Sequence, residues 1–225
     1  MTVELIPLEG LPEFTPGDDL AAILAPHLRD LGVRHGDVVA LTQKVLSKAE
    51  GRLASASDRE AVVAAETVRV VARRGDLLIA ETRHGLICAN AGVDASNVQE
   101  GLLSLLPHDP DASATRLREV LTAELSVDVA VVITDTFGRP WREGVVNVAI
   151  GCAGLPALID LRGLPDHHGR AMDTTVVALA DEVAAASGLV MTKSARVPVA
   201  IVRGVDRAGA QSSAARDLVR APAPI

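Results

Sequence analysis

Residues Val129 to Thr134 read VAVVIT, and the segment that follows them, Asp135 to Glu143, reads DTFGRPWRE. An unbroken run of apolar and β-branched residues is typical of a strand that is buried on both faces, as in parallel sheets. In α/β proteins, reactive side chains lie just beyond the carboxyl ends of such strands. The sequence therefore predicts a buried strand over Val129–Thr134 and a functional site that begins at Asp135.

The flanking segments alternate between strand and helix patterns, which predicts a mixed α/β (α+β) fold. We expect one domain over residues 1–225, with a division into two subdomains left open, and a frayed tail over residues 215–225. Residues 10–17 predict a loop because they are rich in Gly and Pro, and residues 144–164 carry no clear pattern. The predicted strands are Val3–Pro7, Asp37–Gln43, Leu77–Thr82, Gly85–Ala89 and Val197–Arg203, and the predicted helices are Leu20–Gly32 (kinked or shortened at Pro26), Ser57–Arg74, Asp111–Leu125 and Thr174–Leu189.

The composition is that of a folded protein in a reducing compartment. Of the 225 residues, 48% are hydrophobic, which excludes intrinsic disorder, and the net charge of −7 argues against nucleic-acid binding. Cys88 and Cys152 occur without a CxxC motif or a Cys/His cluster, so neither a disulfide framework nor a zinc site is expected. The N-terminus lacks a signal-peptide pattern, and the uncharged stretch Gly144–Ile159 is too short to span a bilayer. We expect a soluble, cytoplasmic protein without membrane or nucleic-acid partners.

Lysine is unusually rare in this chain. The sequence has 19 arginines but only three lysines, Lys44, Lys48 and Lys193. A lysine retained in such a chain indicates a site that needs a compact ammonium group, and three leftover surface lysines are an equal alternative. Two of the three lie in residues 42–52 (TQKVLSKAEGR), directly after a predicted strand. Such a turn is well placed to meet phosphate oxygens, and a solvated amphipathic turn is the alternative.

Oxygen-bearing side chains occur in two further segments. In residues 90–97 (NAGVDASN), Asp94 could hold a hard cation, but a local Asx-turn is favoured on this segment alone. Asp135 and Thr136 also offer hard oxygen donors for Mg²⁺ or Mn²⁺. Beyond them, Arg139 and Arg142 could bind carboxylate or phosphate, and Phe137 and Trp141 could stack on a ring.

The familiar nucleotide-binding and hydrolase motifs are absent from the sequence: it contains no GxxxxGK[ST], GxGxxG, HExxH or GxSxG. The adjacent histidines of residues 166–170 (DHHGR) are better explained by a polar loop than by a metal site, and His84 by a turn residue. Metal, phosphate and carboxylate recognition in one site together point to phosphoryl transfer, with a carboxylate as a candidate acceptor.

Five segments carry a family resemblance. GLPEF (residues 10–14), SKAEGR (47–52), NAGVDASN (90–97), ITDTFGRPWREG (133–144) and VPVAIVRG (197–204) occur in the order found in the coenzyme F420-0:L-glutamate ligase (gamma-glutamyl ligase) family. The resemblance covers nearly the whole chain, from Val3 to Gly204. The chain resembles the stand-alone form of this family, which lacks a C-terminal nitroreductase-like domain.

The resemblance implies an activity and a set of partners. GTP would phosphorylate the terminal carboxylate of coenzyme F420-0, and the amine of L-glutamate would attack the resulting acyl phosphate, with further glutamates added through gamma linkages. It also implies Mg²⁺ or Mn²⁺ at two divalent sites, K⁺ as an optional ion, the fold of this ligase family and an intertwined homodimer. A ligase for a different acceptor, or a degenerate non-catalytic subunit that binds nucleotide or deazaflavin, remains open.

The resemblance also assigns roles to individual residues. Asp94, Asp135 and Thr136 would bind metal, with Thr136 at the second site, and Lys48, Asp135 and Arg139 would be catalytic. The nucleotide site would be lined by Gly10, Leu11, Pro12, Glu13, Gln43, Lys44, Lys48 and Asn97. Two departures from the family pattern stand out. Met191-Thr192-Lys193 replaces a Met-Gly pair, which leaves a phosphate contact rather than a metal role open to Lys193, and residues 166–170 (DHHGR) replace D-x-YGR.

Overall fold

A five-stranded sheet forms the centre of the computed structural model, which describes residues 2–194, 196–207 and 213–220. The strands are β1 (Glu4–Pro7), β2 (Val38–Thr42), β3 (Leu53–Ser55), β4 (Thr67–Arg74), β5 (Leu77–Thr82), β6 (Ile87–Ala89), β7 (Leu102–Ser104), β8 (Ala130–Arg139), β9 (Arg142–Ala153), β10 (Ile159–Asp160), β11 (Val176–Val177) and β12 (Val199–Arg203). The helices are α1 (Leu20–Asp30), α2 (Gln43–Ala49), α3 (Arg59–Glu66), α4 (Pro110–Leu125) and α5 (Leu179–Ser187). The central sheet has the strand order β1-β12-β2-β8-β9, and two two-stranded sheets (β10-β11 and β3-β7) and a three-stranded sheet (β4-β5-β6) accompany it.

The mixed α/β architecture confirms the predicted fold class. β2 and β8 run parallel, with Leu41 opposite Ile133, and both β2 and the first half of β8 are buried on their two faces, as their apolar sequences predict. On one face, Leu41 and Ile133 pack against α1 and α4. On the other face, Val38 and Val132 pack against α5. Side chains alternate between these faces along each strand, so the face of each site residue follows from its position.

Helix α1 forms where its pattern predicts, and Pro26 does not interrupt it. The Asp19 carboxylate accepts a hydrogen bond from the Ala22 backbone N–H at 3.1 Å, which caps the first turn. The helix then buries Leu24 and Leu28 against the sheet. None of the helices in the described part of the chain has the length and apolar character needed to cross a membrane.

The predicted helix over Ser57–Arg74 is wrong in its second half. Helix α3 ends at Glu66, and the chain continues directly as strand β4, which pairs with β5. The residues from Thr67 onward (TVRVVARR) are mostly β-branched or basic, and the strand pairing outweighs the helical period. The predicted helix over Thr174–Leu189 is similarly shortened to α5, with the short strand β11 before it.

Part of the predicted tail is regular structure. Residues 215–218 form a 3-10 helix rather than a frayed tail, and the Ala215 side chain is buried. The buried Asp111 carboxylate anchors this segment because it accepts hydrogen bonds from the backbone N–H groups of Ala215 (2.7 Å) and Cys152 (3.0 Å). Residues 221–225 of the predicted tail lie outside the described residues.

A β-bulge in β9 sets the register beside the candidate site. Ile133 lies opposite Gly151, but the next residue of β8, Thr134, lies opposite Ala149, so Ile150 is left without a partner. The backbone N–H of Ala149 donates instead to the Asp181 carboxylate of α5, at 2.8 Å. Burial raises the pKa of Asp181, although this N–H donor lowers it.

We predict that Gly151→Ala destabilises the protein by roughly 2–3 kcal/mol. An added Cβ would lie 2.5 Å from the backbone oxygen of Pro110 and 2.6 Å from its carbonyl carbon, at the start of α4, so neither neighbour can move without shifting the helix. Urea unfolding measures the loss. Gly138→Ala is the matched control because nothing lies within 4 Å of its Cβ position. Equal stabilities of the two variants would contradict the packing argument.

Candidate active site

A cavity of about 1210 Å³ lies at the edge of the sheet where β2 and β8 end. One side of it is formed by residues 11–14, by α2 and by residues 88–99. The other side is formed by the end of α5 and the connection to β12, residues 188–198. The cavity therefore reaches both faces of the sheet, at the position where α/β proteins place their ligands.

All three lysines of the chain line this cavity, whereas only Arg59 and Arg196 of the 19 arginines do so. The five cationic side chains face three carboxylates, those of Glu13, Asp94 and Asp135. The cavity is positively charged although the protein has a net charge of −7, so its electrostatic field would attract an anionic ligand. All three lysines therefore lie in one cavity, and their role as site residues stays a prediction.

Asp94 is held by a local network. Lys44 forms an ion pair with Asp94 and donates a hydrogen bond to the Ser96 hydroxyl at 2.7 Å. The Ser96 N–H donates to Asp94 Oδ1 at 2.9 Å, which is the Asx-turn favoured from the sequence. Burial raises the pKa of Asp94, but the hydrogen bonds from Lys44 and Ser96 outweigh it and lower the pKa to about 2. Asp94 is therefore ionised, and the Lys44 ammonium is its cationic partner in the cavity.

Asp135 and Thr136 point to opposite faces of β8. Asp135 follows the alternation of Val131 and Ile133 and lies on the side of Asp94, whereas the Thr136 hydroxyl donates to Asn147 Oδ1 of β9 at 3.0 Å. Burial is the main cause that raises the pKa of Asp135 to about 6, and the negative charge of Asp94 adds to it. The Thr136 N–H, Lys44 and Lys193 lower it in part.

The carboxylates of Asp94 and Asp135 fit a divalent cation whose remaining ligands are not protein atoms. Asp94 and Asp135 repel each other across the cavity, a cost that a hard cation between them would remove. In the described residues, no cluster of three or more His, Cys, Asp or Glu side chains could enclose a metal ion. Mg²⁺ commonly takes one or two carboxylates and completes its shell with water and phosphate oxygens. Thr136 faces away from Asp135, so the two side chains cannot share one ion.

Most residues assigned to nucleotide binding do line the cavity: Leu11, Pro12, Glu13, Gln43, Lys44, Lys48 and Asn97. Gly10 lies just before this lining and outside it. Lys48 is largely buried at the end of α2 and forms an ion pair with the exposed Glu13. The buried Gln43 side chain receives a hydrogen bond from Ser47 at 2.6 Å, and its Nε2 has no partner in the described part of the chain.

Arg139 and Trp141 do not reach the cavity lining. They lie near the turn between β8 and β9, where Arg139 Nη2 donates to the Glu143 carbonyl at 3.0 Å and the Trp141 side chain is fully exposed. The catalytic role of Arg139 stays a prediction. Of the two aromatic residues expected to stack on a ring, Phe137 lines the cavity, and Phe14 joins it from the opposite wall.

The histidines lie elsewhere. His84 Nε2 donates a hydrogen bond to the His108 carbonyl oxygen at 3.1 Å, and burial lowers the pKa of His84. Asp166 folds residues 166–170 into a turn by accepting the backbone N–H groups of His168 and Arg170, each at 2.8 Å. Neither feature contributes to the cavity lining, in agreement with the sequence interpretation.

Sequence reasoning missed Arg59, Arg196 and Asn147, which also line the cavity. Each lies outside the motif-like segments, and only the pairing of β8 with β9 brings Asn147 opposite Thr136. No local pattern distinguishes them. The rarity of lysine is a sequence signal that does lead to this cavity, because Lys44, Lys48 and Lys193 all line it.

Fold and site together define a class: an α/β protein with a cationic cavity at the carboxyl edge of a parallel strand pair. Residues 10–204 match the model of the F420-0:gamma-glutamyl ligase family. The chain therefore belongs to this family.

Curated relatives support this family membership. The chain is 39% identical over 226 residues to the coenzyme F420:L-glutamate ligase of Methanothermobacter thermautotrophicus, covering 91% of this chain and 90% of the relative. It is 43% identical to the enzyme of that name from Methanopyrus kandleri (91% and 87% covered) and 40% identical to that from Archaeoglobus fulgidus (93% and 90% covered).

Proposed function

We propose that this protein is a GTP-dependent ligase that joins L-glutamate to the terminal carboxylate of coenzyme F420-0 in coenzyme F420 biosynthesis, with gamma-linked extension by further glutamates. The relatives' names supply glutamate and coenzyme F420 as substrates. The observation that carries the proposal is the convergence of every lysine of the chain with Asp94 and Asp135 in one cavity. The two buried free cysteines, Cys88 and Cys152, suit the cytoplasm, where we place the reaction.

The chemistry requires an activated carboxylate. A carboxylate is a poor electrophile at neutral pH, and transfer of the γ-phosphoryl group of GTP to it creates an acyl phosphate whose phosphate leaves when the glutamate amine attacks. Lys44 and Lys48, which line the cavity, would neutralise the phosphate oxygens during the transfer. Leu11, Pro12, Gln43 and Asn97 would position the nucleotide beside them, with Gly10 supporting the loop.

Asp94 and Asp135 would hold Mg²⁺ or Mn²⁺, and Thr136 with Asn147 offers oxygen atoms for a second ion, divalent or K⁺, on the other face. When bound, such an ion stabilises the charge that develops on the phosphate oxygens.

Lys44 must leave Asp94 for an ion to bind there, because its ammonium now occupies that position. Mn²⁺ should therefore raise the melting temperature of Lys44→Met more than that of the unaltered protein.

We also propose a homodimer. Strand β4 is a sheet edge, and its Val68, Val70 and Val71 are all exposed, which is an unusual surface for a lone chain. The exposed Trp141 projects from a second hairpin. Light scattering of the purified protein tests this proposal, and a monomeric mass would exclude it.

The decisive experiment is product analysis. The protein is incubated with coenzyme F420-0, L-glutamate, GTP and Mn²⁺, and mass spectrometry looks for the added glutamyl mass. Reactions without GTP, with ATP in its place, or without glutamate should give no product. GTP cleavage only with another acceptor or amino acid would point to a different ligase, and nucleotide binding without any phosphate release would point to a non-catalytic subunit.

A further inference from the structure

We propose that Lys193 and Arg196 bind the two carboxylates of the incoming L-glutamate. This inference rests on the proposed function and deepens it, because it assigns the amino-acid subsite to the connection between α5 and β12. Nothing in the family match or in the relatives' names assigns a role to these two side chains.

The first argument is position. The residues assigned to the nucleotide, Leu11 to Glu13 and those of α2, line the side of the cavity that continues into the α1 and α4 face of the sheet. Lys193 and Arg196 line the opposite side, which continues into the α5 face, together with Gly188 and Asn147. A nucleotide bound on the first side leaves the second side open for another substrate.

The second argument is charge. Lys44 and Lys48 already have carboxylate partners, Asp94 and Glu13. Across the residues that the structure describes, neither Lys193 nor Arg196 has an ion-pair partner, although both face the cavity and both are exposed. An α-amino dicarboxylate with its amine deprotonated for attack carries two negative charges, which two cations match in number.

The third argument is the proximity of Lys193 to Asp135. The positive charge of Lys193 acts on Asp135, so the two side chains share one electrostatic environment. Asp135 is the residue beside which the acceptor carboxylate would be phosphorylated. A glutamate held by Lys193 and Arg196 would therefore lie next to the acyl phosphate, with its amine free. A guanidinium fork suits a carboxylate through two parallel hydrogen bonds, and an ammonium binds the second carboxylate as a point charge.

Lys193→Gln and Arg196→Gln test the assignment. Each should raise the KM for L-glutamate by roughly 10-fold or more, because a charge-assisted hydrogen bond is lost, while the KM for GTP stays within about twofold. The ratio of L-glutamine use to L-glutamate use should rise in whichever variant contacts the side-chain carboxylate. Lys193→Arg should retain most of the glutamate affinity.

A second readout does not depend on turnover. In the presence of GDP and Mn²⁺, L-glutamate should raise the melting temperature of the unaltered protein and should do so less in both variants. Arg162→Gln is the matched control, since Arg162 is an exposed arginine outside the cavity that pairs with Asp160. Both tested residues are exposed, so the variants should fold, and their melting curves without ligand will show this.

The outcomes separate the two proposals. If the unaltered protein adds glutamate but the variants keep its KM, the subsite assignment alone is wrong. A raised KM for GTP with an unchanged KM for glutamate would overturn it in favour of a phosphate contact. If the unaltered protein forms no glutamyl product under any condition, the proposed function fails, and this inference fails with it.

Discussion

Asp135→Asn should lower the ligation rate by roughly 1000-fold or more and, at the same time, stabilise the fold at pH 7. The rate falls because the variant loses a negative charge at the centre of the proposed reaction site. The fold gains because burial and the neighbouring Asp94 make an ionised Asp135 costly. A residue whose removal stabilises the protein and stops the reaction is typical of a functional site.

The stability gain should depend on pH in a definite direction. The pKa of Asp135 is raised from 3.8 to about 6, so folding favours its protonated form. Below pH 3.8 the group is protonated in both states and costs nothing. As the pH rises through about 6, the unaltered protein loses on the order of 2–3 kcal/mol that the Asn variant keeps. Urea unfolding in the presence of a chelator should therefore show a difference at pH 7 that disappears near pH 4.

Asp181→Asn is the matched control for this experiment. Burial also raises the pKa of Asp181, but its side chain lies outside the cavity lining and an Asn oxygen can still accept the Ala149 N–H. This control should keep its ligation activity. Unimpaired turnover in Asp135→Asn would remove the central role of Asp135, and lower stability at pH 7 would refute the electrostatic argument.

Lys48→Met should lower kcat/KM for GTP by roughly 100-fold to 1000-fold. Lys48 is 9% exposed and lies at the end of α2, so its ammonium is fixed in direction before any ligand binds. Its present partner, Glu13, has a side chain that is 71% exposed and can move into solvent when a phosphate replaces it. The variant loses this preorganised charge, which water cannot replace in a buried position.

Binding measurements separate affinity from chemistry in this variant. The rise in melting temperature caused by GDP should shrink in Lys48→Met and persist in Arg69→Gln, where the removed cation pairs with Glu81 on β4 and β5, outside the cavity. Lys48→Arg should fall between them because it keeps the charge but not the compact shape. An unchanged GDP effect in Lys48→Met would place the phosphate elsewhere.

The central strands could be predicted because their sequences leave little choice. VAVVIT at Val129–Thr134 and the similar run at Val38–Thr42 are apolar throughout, and both form strands buried on two faces. The helix prediction over Ser57–Arg74 is wrong after Glu66 because it gives the helical period of residues 57–66 more weight than the β-branched residues from Thr67 onward. Antiparallel pairing of β4 with β5, across the two-residue turn Gly75-Asp76, makes those residues a strand.

The site was predictable where chemistry is concentrated in short segments. Asp94 and Asp135 belong to such segments, and they meet in the cavity. Arg139 also belongs to such a segment, but it lies at the far end of β8, in the β8–β9 hairpin. Because β8 continues well beyond its buried apolar residues, this hairpin extends past the edge of the sheet. Arg196 and Asn147 could not be found, since their relevance comes from tertiary contacts alone.

The confinement of lysine to the cavity has a practical consequence for chemical labelling. Reagents that acylate primary amines find their side-chain targets nowhere else on this chain, because its other cations are arginines. Mild acetylation would therefore label the cavity alone among the side chains. The masses of the peptides protected by each bound ligand would show which lysine that ligand covers.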